Sequence, residues 1–323
     1  MKIGIIGAGL IAKTMAETIK NVDFAVNYAI ASRDINKAKK YQKEYGFLKV
    51  YGSYEELVKD DNVELVYVAT PHSHHYEHAM LALKYNKPVL VEKAFTANYK
   101  QAEELINYAK NKGLFIAEAI WTRYLPSRQL LIDTINSGII GKVTSLNANL
   151  GYKIDHIDRI SNPNLAGGAL LDVGVYPLNF ASMVFGNDII DIQTSCVKND
   201  LGTDIRNATI LTYKNGTQAT LSSNASVISD QLGLVHGEKG YIVCHKINNI
   251  NKIEVFNNER DLIQEIKIPK QITGLEYELL ACINCIRANQ LEPKEMPHSE
   301  TILMMKLYDI LREKWGIKFP FEK

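Results

Sequence analysis

The opening stretch KIGIIGAGLIA, residues 2–12, constrains the fold more than any other part of the chain. A strand-like apolar run passes without a spacer into Gly7-x-Gly9-x-x-Ala12, and residues 10–20 then follow a helical period. Each residue type answers a physical need. Gly7 permits a tight turn, Gly9 lets the backbone approach a pyrophosphate, and Ala12 keeps the helix close to the sheet. The helix N-terminus, with Leu10 and Ile11, then faces the anion. A strand, this turn and a helix in that order are the context in which the fingerprint carries meaning.

The alternation continues. Residues 25–32, 64–69, 88–93 and 114–119 read as strands, and 35–45, 75–86 and 97–112 as helices. Such a series implies a parallel, doubly wound sheet, so residues 1–120 are expected to form a Rossmann-type dinucleotide-binding domain. The end of the second strand should read the adenosine ribose. Ser32-Arg33, with Lys37 close behind, offers a hydroxyl and cations to a 2′-phosphate, whereas NAD enzymes place a carboxylate there. This charge pattern favours NADP; Asp34, one residue further on, keeps NAD as the alternative. Thr70 and Pro71 follow the strand at 64–69, and the loop after them, with His75, should line the cofactor crevice. His72, His74, His75 and His78 crowd that segment without carboxylate or cysteine company at ligand spacing, so no metal is expected.

After residue 120 the pattern changes. A helix over 126–138 ends at glycine, and alternating strands follow near 142–152, 189–198, 205–214, 217–226, 232–236, 240–246, 252–257 and 263–268. Two amphipathic helices, 274–289 and 299–315, close the chain. Residues 121–323 are therefore expected to form an α+β substrate domain with a large, mostly antiparallel open sheet. An open sheet exposes one face, which points to a homodimer or higher oligomer.

Composition limits the partners. With 37 basic against 36 acidic residues the formal charge is +1, which gives no electrostatic reason to expect nucleic acid or an anionic membrane. No apolar run is expected to reach the roughly 18 residues of a membrane span, and the N-terminus starts a strand at once, so no secretory leader is expected. Cys282 and Cys285 stand at C-x-x-C spacing, but on a helical period they read as small apolar residues, and a reducing cytoplasm suits the chain.

One apolar stretch carries chemistry. In GGALLDVGVYP, residues 167–177, Asp172 and Tyr176 interrupt the run four residues apart, which on a helix is one face. Pro177 disturbs a regular helix there, because its ring meets the carbonyl four residues earlier.

This stretch, VEKAF (91–95), YGSYEEL (51–57) and EAIWTRYLP (118–126) together resemble the glucose–fructose oxidoreductase/inositol dehydrogenase (Gfo/Idh/MocA) family over the whole chain. Within it the chain is most similar to the dimeric dihydrodiol dehydrogenases and NADP-dependent D-xylose dehydrogenases. The resemblance implies that Lys93, in Glu92-Lys93-Ala94, lies beside the nicotinamide; alanine stands where the family has proline. It also implies that Asp172 and Tyr176 complete the catalytic set and that Trp121 borders the nicotinamide or substrate. On this reading Tyr176 exchanges the proton of a sugar or diol hydroxyl. A phenol's ordinary pKa is about 10, and an ammonium such as that of Lys93 favours the phenolate. Asp172 orients one of the two or holds a hydroxyl. Arg123, Tyr152 and His156 are further candidates around the substrate. The alternatives are a non-catalytic dinucleotide-binding regulator of the same fold, or a different reduced substrate such as an imine.

Overall fold

The computed structural model describes residues 1–322, which fall into two compact units. One takes Met1–Trp121 together with Gln271–Lys306; the other takes Thr122–Lys270 and the chain from Leu307 on.

In the first unit, strands β1 (Lys2–Ile6), β2 (Val26–Ala31), β3 (Lys49–Tyr51), β4 (Leu65–Val68), β5 (Val89–Glu92) and β6 (Ile116–Ala119) form one sheet in the order β3-β2-β1-β4-β5-β6. Every pairing is parallel. Helices α1 (Leu10–Lys20), α2 (Ile35–Tyr45), α3 (Tyr54–Lys59), α4 (His72–Lys84) and α5 (Tyr99–Lys112) connect them. All residues of β4, β5 and β6 are buried, as expected of a parallel sheet covered on both faces. The strand order reverses between β1 and β4, which opens a crevice at their carboxyl ends. The short pair β3 and α3 escaped the sequence reading, because three strand residues show no period. Its signal was chemical: Ser53 and Glu56 form a capping box at the start of α3.

The second unit begins with α6 (Pro126–Asn136) and β7 (Val143–Gly151). A one-turn helix α7 (Asp158–Ser161) and a π-helical turn (Leu170–Gly174) precede α8 (Val175–Phe185). Strands β8 (Ile189–Lys198), β9 (Asp204–Tyr213), β10 (Gln218–Asn224), β11 (Leu232–Gly237), β12 (Gly240–His245), β13 (Lys252–Asn257) and β14 (Leu262–Ile266) follow. The eight strands are ordered β14-β13-β12-β11-β7-β10-β9-β8, antiparallel except for β7 with β10. Alternate residues such as Leu146, Leu221, Val235, Ile242 and Val255 are buried, and α8, enclosed from Val175 to Met183, packs on β7 and β10.

Two expectations are corrected here. Residues 271–306 belong with the N-terminal unit rather than with 121–323 as one domain. The cause is the apolar face of α9 (Leu275–Arg287), whose Leu275, Leu279, Cys282, Ile283 and Cys285 join Ile3, Met15, Leu65 and Tyr67 in one core. The helix α10 (His298–Lys314) spans the point of division. Second, one stretch, Pro163–Phe185, is by length and composition apolar enough to cross a membrane, but 89% of its apolar window is buried inside the fold. Its apolarity is that of a core helix.

Candidate functional site

The glycine turn is built as its residues demand. Gly7 has φ +103°, and a Cβ there would lie 2.6 Å from the Ala69 carbonyl oxygen, so no side chain is tolerated. At Gly9 the nearest atom to such a Cβ is 4.0 Å away, which leaves open space over the backbone. Gly9 is the N-cap of α1 and contributes no side-chain cap, so the first amides of the helix, at Leu10 and Ile11, are left for a ligand. The Tyr41 hydroxyl donates to the Gly9 carbonyl at 3.0 Å and fixes the turn from α2, a contact across 32 residues that no local pattern announces. This cradle fits the pyrophosphate of a dinucleotide.

At the end of β2 the Ser32 side chain is buried, while Arg33 and Lys37 are exposed. Ser32 Oγ accepts from the Asp34 amide at 3.2 Å, and Asp34 in turn caps α2 by accepting from the Asn36 amide at 3.0 Å. The carboxylate that kept NAD in play is exposed as well, but one of its oxygens is engaged at a helix N-terminus, beside the cations of Arg33 and Lys37.

The carboxyl ends of β4 and β5 bring several expected residues together. Pro71 is the N-cap of α4. The Thr70 hydroxyl lies 3.0 Å from Nδ1 of His78, whose imidazole burial pushes down to about 3. His75 was expected to touch the cofactor, but its ring is completely buried and both nitrogens face backbone carbonyls, Nδ1 that of Ala94 at 2.8 Å and Nε2 that of Thr70 at 2.7 Å. Burial pushes it down to about 4, so the neutral ring donates to one carbonyl at a time. His75 is therefore scaffold: it joins the two loops from behind, and Ala94, the residue in proline's place, is held by it. Glu92 is likewise enclosed, accepting from the Tyr67 hydroxyl and, at 3.2 Å, from the Lys93 amide. Lys93 itself is half-buried at the strand end. Behind them Glu278 of α9 is completely buried with neither carboxyl oxygen hydrogen-bonded; burial, reinforced by Glu92, raises it well above the usual carboxylate range. Trp121 lies against Gly274, where a Cβ would come within 3.1 Å of the indole, and its Nε1 is buried without a partner.

In the second unit Asp172 sits in the π turn and Tyr176 in the first turn of α8, both buried. The wide turn accommodates Pro177 by removing the regular register in which its ring would strike the Val173 carbonyl. Asp172 Oδ1 pairs with Nη1 of Arg159 at 2.5 Å, a partner the sequence reading did not include. Ahead of the π turn, buried Asp204 accepts from the Leu170 amide and from Asn207 Nδ2, each at 2.8 Å, and a Cβ at Gly168 would overlap its other oxygen. This explains the second glycine of the pair. Burial raises the Asp204 carboxyl to about 6. Arg123 is a structural cation under α8, donating from Nε to Asn179 at 2.6 Å and from Nη2 to Ser182 at 2.8 Å. The Tyr152 hydroxyl accepts from Asn248 at 3.1 Å, and His156 is exposed. Among the described residues no group of three or more His, Cys, Asp and Glu could hold a metal ion.

A doubly wound sheet with a bare glycine cradle at its switch point, and a second unit carrying a buried aspartate and tyrosine on one helical turn, define a dinucleotide-dependent oxidoreductase. Residues 1–119 match the oxidoreductase family with NAD-binding Rossmann fold, and residues 129–243 match the Gfo/Idh/MocA C-terminal domain. The chain belongs to the Gfo/Idh/MocA family. It is 30% identical to trans-1,2-dihydrobenzene-1,2-diol dehydrogenase of Mus musculus, over 100% of this chain and 99% of that one. It is 32% identical to D-xylose 1-dehydrogenase (NADP(+)) of Hypocrea jecorina, over 99% and 93%. Among solved structures, a 3-ketoreductase from Actinomadura kijaniata in complex with NADP and TDP-benzene shares the fold, with a TM-score of 0.89 at 23% identity and 97% of each chain covered.

Proposed function

We propose that the chain transfers a hydride between NADP and a CH–OH group of a sugar or cyclic diol. The observation that carries this reading is the Gly7–Gly9 cradle followed by Ser32, Arg33 and Lys37, with Asp34 engaged as a helix cap. The substrate class is drawn from the full-length relatives, which are named for a trans-dihydrodiol and for D-xylose with NADP.

NADP supplies the hydride-accepting nicotinamide when bound. Gly9, Leu10 and Ile11 hold its pyrophosphate with backbone amides, and Ser32, Arg33 and Lys37 receive the 2′-phosphate. Thr70, Pro71 and Trp121 border the crevice, while His75 and Glu92 support it. Tyr176 accepts the hydroxyl proton at its phenolic oxygen, and returns it in the reverse direction. Lys93 assists by hydrogen-bonding the substrate oxygen and favouring the phenolate. Asp172 orients the hydroxyl neighbouring the one that reacts.

We further propose that the chain is a homo-oligomer, with a dimer as the basic unit, assembled through the outer face of the large sheet. On that face His236, Tyr241 and Phe256 form an aromatic row, with ring centroids 6.3 and 5.0 Å apart, where a solvated face would carry charge. A cytoplasmic location suits four free cysteines.

Purified protein mixed with NADP⁺ or NAD⁺ and D-xylose, D-glucose, myo-inositol or a cyclic trans-diol is expected to form reduced nicotinamide with NADP⁺, and Tyr176→Phe to abolish it. Tight NADPH binding without turnover of any substrate would favour a regulator. Full activity in Tyr176→Phe would move the base to another residue.

A further inference from the structure

The segment YGSYEEL, residues 51–57, has no part in the chemistry above, yet it lies against the end of β2 that reads the adenosine ribose. There β3 runs parallel to β2 with Tyr51 opposite Ala31, and the Ser32 amide donates to the Tyr51 carbonyl at 3.3 Å. The turn out of β3 is closed locally. One oxygen of Glu56 accepts from the amides of Gly52 and Ser53, each at 3.2 Å, and the Ser53 hydroxyl accepts from the Glu56 amide at 3.2 Å. A strand of three residues and a helix of six have little cooperativity of their own, so these bonds fix Tyr54 at the first position of α3.

Tyr54 is half-buried, and its ring meets that of His78 edge to face, with centroids 4.5 Å apart and planes at 72°. From His78 the contacts continue to the glycine turn. Its Nδ1 lies 3.0 Å from the Thr70 hydroxyl, and the Thr70 methyl group would be 3.2 Å from a Cβ at Gly7. A packed chain thus runs from the pyrophosphate cradle to Tyr54. Arg33 is exposed, and a long exposed side chain samples many rotamers unless something directs it. Burial raises the Tyr54 phenol while the Arg33 guanidinium works against that rise, as a cation near the phenolic oxygen does. The His78 ring, kept neutral by burial, brings no like charge to repel it.

We propose that Tyr54 is a positioning residue for the cofactor: its hydroxyl directs the Arg33 guanidinium towards the 2′-phosphate and so raises the preference for NADP over NAD. The inference rests on the reading that Arg33 receives that phosphate. A guanidinium has five N–H donors in a planar fork, so giving one to the phenolic oxygen leaves a pair for phosphate. With the fork set in advance, less ordering is paid on binding. NAD has no 2′-phosphate and gains nothing from the arrangement.

The test uses the full-length chain with Tyr54→Phe, Arg33→Ala and the double variant, titrated with NADPH and NADH by fluorescence. Tyr54→Phe keeps the ring on His78 and removes only the hydroxyl. It is expected to lower the ratio of NADPH to NADH affinity roughly 3- to 10-fold, which is the cost of ordering one long side chain. The double variant should bind NADPH no more weakly than Arg33→Ala, because Tyr54 acts only through that guanidinium. A ratio within about twofold of wild type in Tyr54→Phe, an equal loss for both cofactors, or losses that multiply in the double variant would overturn the proposal. A second measurement needs no cofactor. In protein carrying ¹⁵N-arginine, the Arg33 Nε–H signal, assigned by its loss in Arg33→Ala, should show a lower order parameter in Tyr54→Phe than in wild type. Equal order in the two would also overturn it. If wild type binds NADH as tightly as NADPH, the 2′-phosphate reading fails, while the order parameter still decides whether Tyr54 directs Arg33.

Discussion

Asp204→Asn removes a buried carboxyl whose protonation is tied to the fold. In the native chain that group is raised from 3.8 to about 6, with burial as the main cause. The folded protein therefore keeps a proton that the unfolded chain releases, and the stability this contributes is full below about pH 4 and lost as pH rises through 6. At about 1.4 kcal/mol for each tenfold difference in proton affinity, the loss is on the order of 3 kcal/mol. The amide introduced by the substitution does not titrate. Its carbonyl can accept from Leu170 and Asn207 as Asp204 does, while its NH₂ faces Gly168, so at pH 4 the variant should be somewhat less stable than wild type. Between pH 4 and pH 7 the difference should move by about 3 kcal/mol in the variant's favour, which for a unit of this size is roughly 6–12 °C in Tm. His75 and His78 act in the opposite sense: their depressed values add stability as pH rises from about 4 and about 3 towards 6.5, but they reside in the other unit. They cancel when variant and wild type are compared at each pH. Calorimetry at pH 4, 5, 6 and 7 is the assay. A difference in Tm that stays constant over this range would refute the reasoning, because it would mean that Asp204 titrates alike in the folded and unfolded chains.

Three other substitutions probe the first unit. Gly7→Ala puts a methyl group against the Ala69 carbonyl at positive φ and should cost at least about 1–3 kcal/mol, with a matching fall in NADPH affinity measured by fluorescence titration. Glu278→Met replaces a buried, unbonded carboxyl with an apolar chain of similar size and should stabilise by about 1–3 kcal/mol. Because Glu278 is raised, that gain should grow as pH climbs above about 4.5, and thermal melts at pH 5 and 8 would show it. Arg33→Ala should weaken NADP(H) by roughly 10-fold or more and leave NAD(H) nearly unchanged, which parallel titrations would reveal.

How much was legible in the sequence depended on whether the controlling contact was local. The strand–helix alternation, the glycine turn and the cation-bearing end of β2 were readable because each is written within about a dozen residues. Asp172 and Tyr176 stood out as polar residues in an apolar run. Their setting did not: Pro177 signalled an interrupted helix, but the π turn that absorbs it is a property of the packed chain. Arg159 and Asp204 carry no local signal, because the partners Asp172 and Leu170 lie 13 and 34 residues away along the chain. His75 was misread for the same reason, since nothing in HSHHYEH says which ring the fold encloses.

The sequence by itself determined the class of fold, the glycine turn at the end of the first strand and the residue types available for proton transfer, because periodicity and turn chemistry are carried by near neighbours. Only the tertiary structure decided that α9 joins the N-terminal core, that Asp34 is a helix cap, that His75 clasps two loops, and that Asp172 is gripped by Arg159. Each of these depends on which distant side chains share a low-dielectric interior, where an unpartnered charge or amide is expensive and the chain's choice of partner is forced.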